Sequence, residues 1–298
     1  MNQPEQTTRI YEDFIPLADV SHIKRKRLDL AYADLSPSQN LDIYLPTEGD
    51  GPFPVILYLH GGAFSIGDKR DIFVLNILKC LKRGFALVSV NYRLSGEAKF
   101  PAGIQDVKAA IRWVRANFKK YQLDGDRIAV WGCSSGANYA TMICLTDRVA
   151  EFEDLSLGNP DYPCNVQAAV DWFGPTDFLK MDEQARENGF GLTDHGEADS
   201  PESRYLGAKI SEIPLKVELA NPMTYVNGHM PPLLIQHGRL DELVPVQQSM
   251  IFVEKLEKYV NPDRFEFDII EGAGHADLLF ETDENMDRVF SFLKKHLK

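Results

Sequence analysis

Apolar positions along the chain fall into two alternating patterns. Val55–Leu59, Ala86–Val90, Ile128–Trp131, Ala168–Phe173, Leu233–Gln236 and Phe265–Ile270 are short runs rich in Val, Ile, Phe and Trp. Most lack polar alternation, which predicts parallel strands covered on both faces. Lys26–Tyr32 and Leu41–Leu45 instead alternate apolar and polar residues, the mark of half-buried antiparallel strands. Between the runs, Ile72–Leu81, Ile104–Phe118, Ala137–Leu145, Val246–Tyr259 and Met286–Leu297 repeat apolar residues at three- and four-residue spacing. Ile104, Val107, Ile111, Val114 and Phe118 form the cleanest such stripe, the buried face of an amphipathic helix.

Strand–helix alternation of this kind predicts an α/β fold, with a mostly parallel central sheet, flanking helices and right-handed crossovers. One stretch breaks the rhythm. Pro175 to Pro232 is too long for a simple connection and carries Phe178, Met181, Phe190, Leu192, Tyr205 and Leu206. It predicts a cap insertion over about residues 177–216. No repeat, low-complexity tract or linker divides the rest, so a single domain over 1–298 is expected, with an irregular arm over about 1–24.

Composition narrows the function. With 44% hydrophobic and 26% charged residues the chain is of ordinary globular type. Its 32 Lys and Arg face 44 carboxylates, a formal net charge of −12, and the one basic run is Lys24–Arg27. Phosphate backbones and anionic membrane surfaces demand a basic stripe, so neither nucleic acid nor membrane is expected as a partner. No apolar run approaches the roughly 18 to 20 residues that span a bilayer. The start Met1–Asp13 is polar and acidic, unlike a secretory signal, and Cys80, Cys133, Cys144 and Cys164 have no framework spacing. A cytoplasmic location is the expectation.

Chemistry concentrates at turns after strands. Gly132-Cys133-Ser134-Ser135-Gly136 is a Gly-x-Ser-x-Gly placed directly between the strand Ile128–Trp131 and a helix. A serine on so sharp a turn occupies strained backbone, and glycines two residues to either side relieve steric conflict. Ser134 is the centre of the motif; Ser135 would need glycines where Cys133 and Ala137 stand. His60-Gly61-Gly62-Ala63-Phe64 follows the strand Val55–Leu59. Backbone amides in such a Gly-rich turn can face an oxyanion, and the expected donors are Gly62 and Ala63 together with Ser135.

A serine nucleophile needs a base, and the base needs an orienting carboxylate. Of seven histidines, only His275 lies in a Gly-rich loop, Gly272–Asp277, just past a strand. Asp241 follows the strand Leu233–Gln236, and the chain order Ser134, Asp241, His275 suits this sheet topology. Glu242 is its rival, with Asp177 and Asp277 behind. Cys133 beside the nucleophile reads as packing behind the turn, and Arg93 with Asp106 as a pair that holds loops. The cap residues Phe178 and Met181, with Phe64, are the expected lining of the substrate pocket.

These residues resemble the α/β-hydrolase superfamily, within it the bacterial carboxylesterase and feruloyl-esterase-like group related to hormone-sensitive-lipase-type esterases. The resemblance covers about Leu28 to Leu297. It rests on His60–Phe64, Asn91–Leu94, Phe100–Ala102 with Asp106, and Gly132–Gly136. Downstream it adds Asp199–Ser203, Asn221–Val226, His237–Pro245 and Gly272–Asp277. Ala63 stands where many relatives carry a third glycine, and Ser135-Gly136-Ala137 where many carry Ala-Gly-Gly. The resemblance implies Ser134 as nucleophile, Asp241 as acid and His275 as base in a serine hydrolase of small carboxylic esters. Acetylated or feruloylated sugars and short-chain esters all fit; small-amide hydrolysis of the arylformamidase type and a ligand-binding protein on the same fold are the alternatives. His-Glu-x-x-His and both phosphate-loop patterns are missing, so neither metal nor cofactor is expected. The expected partner is a small-molecule ester; a homo-oligomer stays open.

Overall fold

The computed structural model describes residues 15–298, so most of the expected N-terminal arm lies outside the described residues. The strands are β1 Lys26–Ala31, β2 Asn40–Tyr44, β3 Phe53–Leu59, β4 Ala86–Val90, β5 Leu123–Cys133, β6 Ala168–Trp172, β7 Leu233–Gly238 and β8 Phe265–Ile270. They form one sheet in the order β1-β2-β4-β3-β5-β6-β7-β8. The pairings β1–β2 and β2–β4 are antiparallel; from β4 to β8 every pairing is parallel. This is the mostly parallel α/β sheet that the alternation predicts, and the α/β-hydrolase fold that the resemblance implies.

The helices are α1 Val74–Ile77, α2 Ala102–Asn117, α3 Ser135–Leu145, α4 Met181–Asn188, α5 Pro201–Leu206, α6 Pro214–Ala220, α7 Gln247–Tyr259 and α8 Asp283–His296. They cover both faces of the sheet, and this explains why the central strands read as continuous apolar runs. Along β3, Val55, Leu57 and Leu59 point into a core shared with α2 and α3, while Ile56 and Tyr58 point into a second core with α1 and α8. All 11 residues of α3 are buried. The helix behind the serine turn is thus held on every side.

Three predicted elements differ in detail. The helix expected over Ile72–Leu81 is one α-helical turn followed by a 3-10 helix, Leu78–Arg83, which ends at Gly84 in the left-handed region. β5 begins at Leu123, earlier than its apolar run, because the polar segment Asp124–Arg127 extends the strand at the surface. β8 is half-buried throughout, as expected of the strand with a partner on one side only. The stretch between β6 and β7 holds α4, α5 and α6, short helices joined by turns. No helix among the described residues is long and apolar enough to cross a membrane, and all four cysteines are unpaired.

Candidate active site

Parallel strands deliver their C-terminal ends, and the loops that follow, to one edge of the sheet. The predicted residues meet there. Ser134, between β5 and α3, has φ 55° and ψ −122°, a conformation that side chains with a Cβ rarely adopt. Its surroundings enforce it. A Cβ on Gly132 would lie 2.0 Å from the Gly136 carbonyl oxygen, and one on Gly136 would lie 2.3 Å from the carbonyl oxygens of Leu59 and His60. The glycines are therefore required by close backbone approach rather than by their own dihedral angles. The Ser134 amide donates to the Trp172 carbonyl at 2.9 Å, tying the turn to β6.

The Ser134 hydroxyl lies 3.0 Å from Nε2 of His275, and Nδ1 of the same ring lies 2.8 Å from Oδ2 of Asp241. A carboxylate accepts only, so Nδ1 carries the proton and Nε2 is left to accept from the serine. Asp241 Oδ1 takes the backbone amides of Leu243 at 2.9 Å and Val244 at 2.8 Å. Burial would raise this carboxyl, but His275 and His237 beside it override that and hold it well below the ordinary carboxylate range. It stays ionised. Of the rival carboxylates, Glu242 reaches only the His275 backbone amide, at 3.4 Å. Asp277 caps its own turn through the amides of Gly274 and Leu279, and the Asp177 backbone bonds to Gln248. The Phe173 ring meets the His275 ring edge-on at 4.7 Å and fixes its tilt.

The turn after β3 faces the serine. Gly62, Ala63 and Phe64 all have positive φ, at 114°, 51° and 62°. Among the described residues, the amides of Gly62, Ala63 and Ser135 donate to no protein group, and all three residues line the same cavity as Ser134. His60 is buried and its ring stacks on Tyr92 at 4.5 Å, whose hydroxyl donates to the His60 carbonyl at 2.6 Å. Burial pushes the His60 ring down to about 4, so it is neutral near pH 7 and braces the turn. Burial likewise pushes the Cys133 thiol upward, which keeps it protonated; Tyr58 lies against the sulfur at 3.8 Å.

The cavity in front of Ser134 measures about 180 Å³. Tyr58, Phe64, Trp172, Met181 and Phe280 contribute to its largely apolar wall. Of the three residues expected to line the pocket, Phe64 and Met181 line this cavity. Phe178 does not reach the wall: it packs behind Phe64 with ring centroids 5.8 Å apart. Arg93 and Asp106 form a bidentate pair with Nη2–Oδ1 at 2.7 Å and Nε–Oδ2 at 2.9 Å, and the Arg93 backbone amide and Gln39 Nε2 also donate to the carboxylate. They hold the β1–β2 and β4–α2 connections together.

The sequence assigns no role to four polar side chains that the structure places around the serine and Asp241. His237 approaches Asp241 Oδ2 at 3.3 Å, while its own ring is held by the Val244 carbonyl at 2.8 Å and the Ser249 hydroxyl at 2.7 Å. Asp71, His195 and Glu202 line the cavity. A signal for His237 exists in the sequence, its place at the end of β7 four residues before Asp241. The other three reach the cavity only through tertiary packing.

A mostly parallel sheet with a serine on the strand-to-helix turn and a His–Asp pair on the last two loops defines an α/β hydrolase. More narrowly, the chain belongs to the BD-FAE family, which its residues 41–256 match. It is similar to the probable carboxylic ester hydrolase LipM of Mycobacterium tuberculosis, 30% identical over 257 residues that make up 86% of this chain and 55% of that protein. Esterase LipC of the same organism is 30% identical over 87% of this chain and 61% of its own length. The chain thus spans little more than half the length of these curated relatives. Among solved structures, a truncated carbohydrate esterase from gut microbiota superposes with a TM-score of 0.85 at 30% identity, over 94% of this chain and 99% of the other. A bifunctional GH43-CE protein of Bacteroides eggerthii superposes with a TM-score of 0.80 at 32% identity, over 92% of this chain and 38% of its own.

Proposed function

We propose that this chain hydrolyses small carboxylic esters through a Ser134–His275–Asp241 triad and an acyl-enzyme. Ser134 Oγ attacks the acyl carbon while His275 Nε2 takes its proton. The tetrahedral oxyanion is held by the amides of Gly62, Ala63 and Ser135. His275 then returns the proton to the departing alcohol, and the acyl-enzyme forms. Water, deprotonated by the same imidazole, attacks the acyl carbon and releases the acid and free Ser134. Asp241 keeps the Nδ1 proton in place and stabilises the imidazolium. The observation that carries the reading is the unbroken relay, 3.0 Å and 2.8 Å long, beside three undonated amides.

A cavity of about 180 Å³ favours short acyl groups, with Phe64 and Met181 against the substrate. The likeness to a carbohydrate esterase supports acetylated or otherwise acylated sugars as the alcohol part. No step requires a metal or cofactor.

An organophosphate or phenylsulfonyl fluoride tests this directly. Intact mass should show one adduct per chain within minutes, mapped by digestion to the peptide containing Ser134. Protein unfolded before the reagent is added should carry no adduct, and neither should His275→Ala. A label on Cys133 would mean a thiol mechanism, and no label on folded protein would make this a binding protein.

A further inference from the structure

Glu202 sits in the run Asp199–Ser203, at the start of α5, and its role does not follow from the triad. It is buried, 6% exposed, and it lines the cavity in front of Ser134. Its Oε2 has no hydrogen-bond partner. A buried polar atom without a partner costs free energy, and proteins retain few of them without a use.

The obvious partner is already committed. His195 also lines the cavity, but its Nδ1 is 2.8 Å from Asp182 Oδ1 and its Nε2 is 2.9 Å from the Leu243 carbonyl oxygen. Both neighbours accept only, so both ring nitrogens donate and the ring is an imidazolium paired with Asp182. Asp182 also accepts the amides of His195 at 2.9 Å and Gly196 at 3.0 Å. Neither group turns to Glu202. Burial raises the Glu202 carboxyl above its usual range, with His195 and the Ser200 hydroxyl offsetting only part of that. With Oε2 unpartnered, the Glu202 carboxyl keeps an oxygen free to accept a hydrogen bond from an alcohol hydroxyl.

We infer that Glu202 is a specificity-determining residue whose free oxygen hydrogen-bonds a hydroxyl carried by the ester held against Ser134. The inference rests on the ester-hydrolase reading. Apolar Phe64, Met181, Leu243 and Val244 share the wall. A single polar anchor in such a wall orients a ligand and rejects analogues that leave it unpaired.

The test compares glyceryl monoacetate with propyl acetate, which share the acyl group and the three-carbon alcohol chain but differ in two hydroxyls. The wild type should favour glyceryl monoacetate by about tenfold in kcat/KM. Glu202→Leu should bring that ratio near one, and Glu202→Asp, which retracts the oxygen, should lower it as well. Glu202→Gln should keep most of it, since a neutral amide still donates and accepts. A wild-type ratio near one, or a ratio unchanged in both Glu202→Leu and Glu202→Asp, overturns the inference while the esterase reading stands. A stronger preference for acetylcholine over glyceryl monoacetate also overturns it, by making Glu202 a cation site. If the wild type turns over neither ester, the esterase reading fails, and calorimetry on the Ser134→Ala protein decides the inference separately. There the affinity ratio of the same two esters should follow the same order.

Discussion

His275 Nε2 stands 3.0 Å from Ser134 Oγ although 141 residues of chain separate them. Neither residue is placed by the other. Ser134 is set by the end of β5 and the buried helix α3, His275 by the loop after β8, and the parallel register brings both to one edge. Side chains fixed independently on rigid elements need little reorganisation to react, and this is where electrostatic catalysis gains most.

Ser134→Ala should therefore lower kcat by about 10⁴-fold or more, with the far-ultraviolet spectrum unchanged. Ser135→Ala should keep most activity, because its backbone amide remains and its buried hydroxyl has no partner to lose. Nitrophenyl acetate turnover of the two variants checks both. Comparable losses would place the nucleophile wrongly.

The two histidines on Asp241 should separate by magnitude. On the proposed mechanism His275→Ala removes the base and should match Ser134→Ala. His237→Gln removes only a flanking contact at 3.3 Å, so a loss of about tenfold in kcat is expected. Single-turnover rates would distinguish them, and equal losses would show that His237 carries the proton.

His60 should not shape the pH profile. Burial holds its ring near a pKa of about 4, so it stays uncharged over the working range. His60→Asn should leave the midpoint of the acid limb of kcat/KM in place, even where a loosened turn lowers the plateau. A displaced limb would make His60 the titrating group.

Asp71 links pH to stability. It is buried with Oδ2 unpartnered, and burial raises its carboxyl to about 7. The unfolded carboxyl titrates near 3.9. Between those values the folded state binds the proton more tightly, so stability falls as pH rises through the interval, and the whole loss is felt above it. Asp71→Asn should raise Tm relative to wild type by more at about pH 8 than at about pH 5. An equal difference at both pH values would show that the carboxyl is not strained by its charge.

Arg93 and Asp106 are a stability pair. Asp106→Ala leaves a guanidinium and an amide without their shared acceptor and should cost about 3–5 kcal/mol in urea unfolding. Replacing both residues with apolar ones should cost less than Asp106→Ala alone. Activity per folded molecule should change little in either.

Much of this architecture is legible in the sequence because one rule governs it. A strand covered on both faces shows as an unbroken apolar run, and Val55–Leu59 and Ile128–Trp131 do so cleanly. Ser134, Asp241 and His275 are legible because each sits in a loop directly after such a run. What is not legible depends on contacts distant in sequence. Phe178 is apolar and lies in the insertion, yet nothing local says that Phe64 stands between it and the cavity. Glu202 looks like any first-turn acid of a helix until tertiary packing buries it. The turn of α1 gives way to a 3-10 helix because the chain must reach Gly84 and enter β4, a constraint imposed from outside the segment.

The carbonyl oxygens of Leu59 and His60 press so closely on Gly136 that the end of β3 and the serine turn behave as a single casting. Leu59 and Gly132 are also paired in the sheet. The separation between the Ser134 hydroxyl and the amides of Gly62 and Ala63 is therefore a spacing of the sheet itself, about as adjustable as the distance between two rungs. Warming should leave that spacing intact until the sheet gives way, so heat inactivation should arrive together with loss of the fold rather than ahead of it.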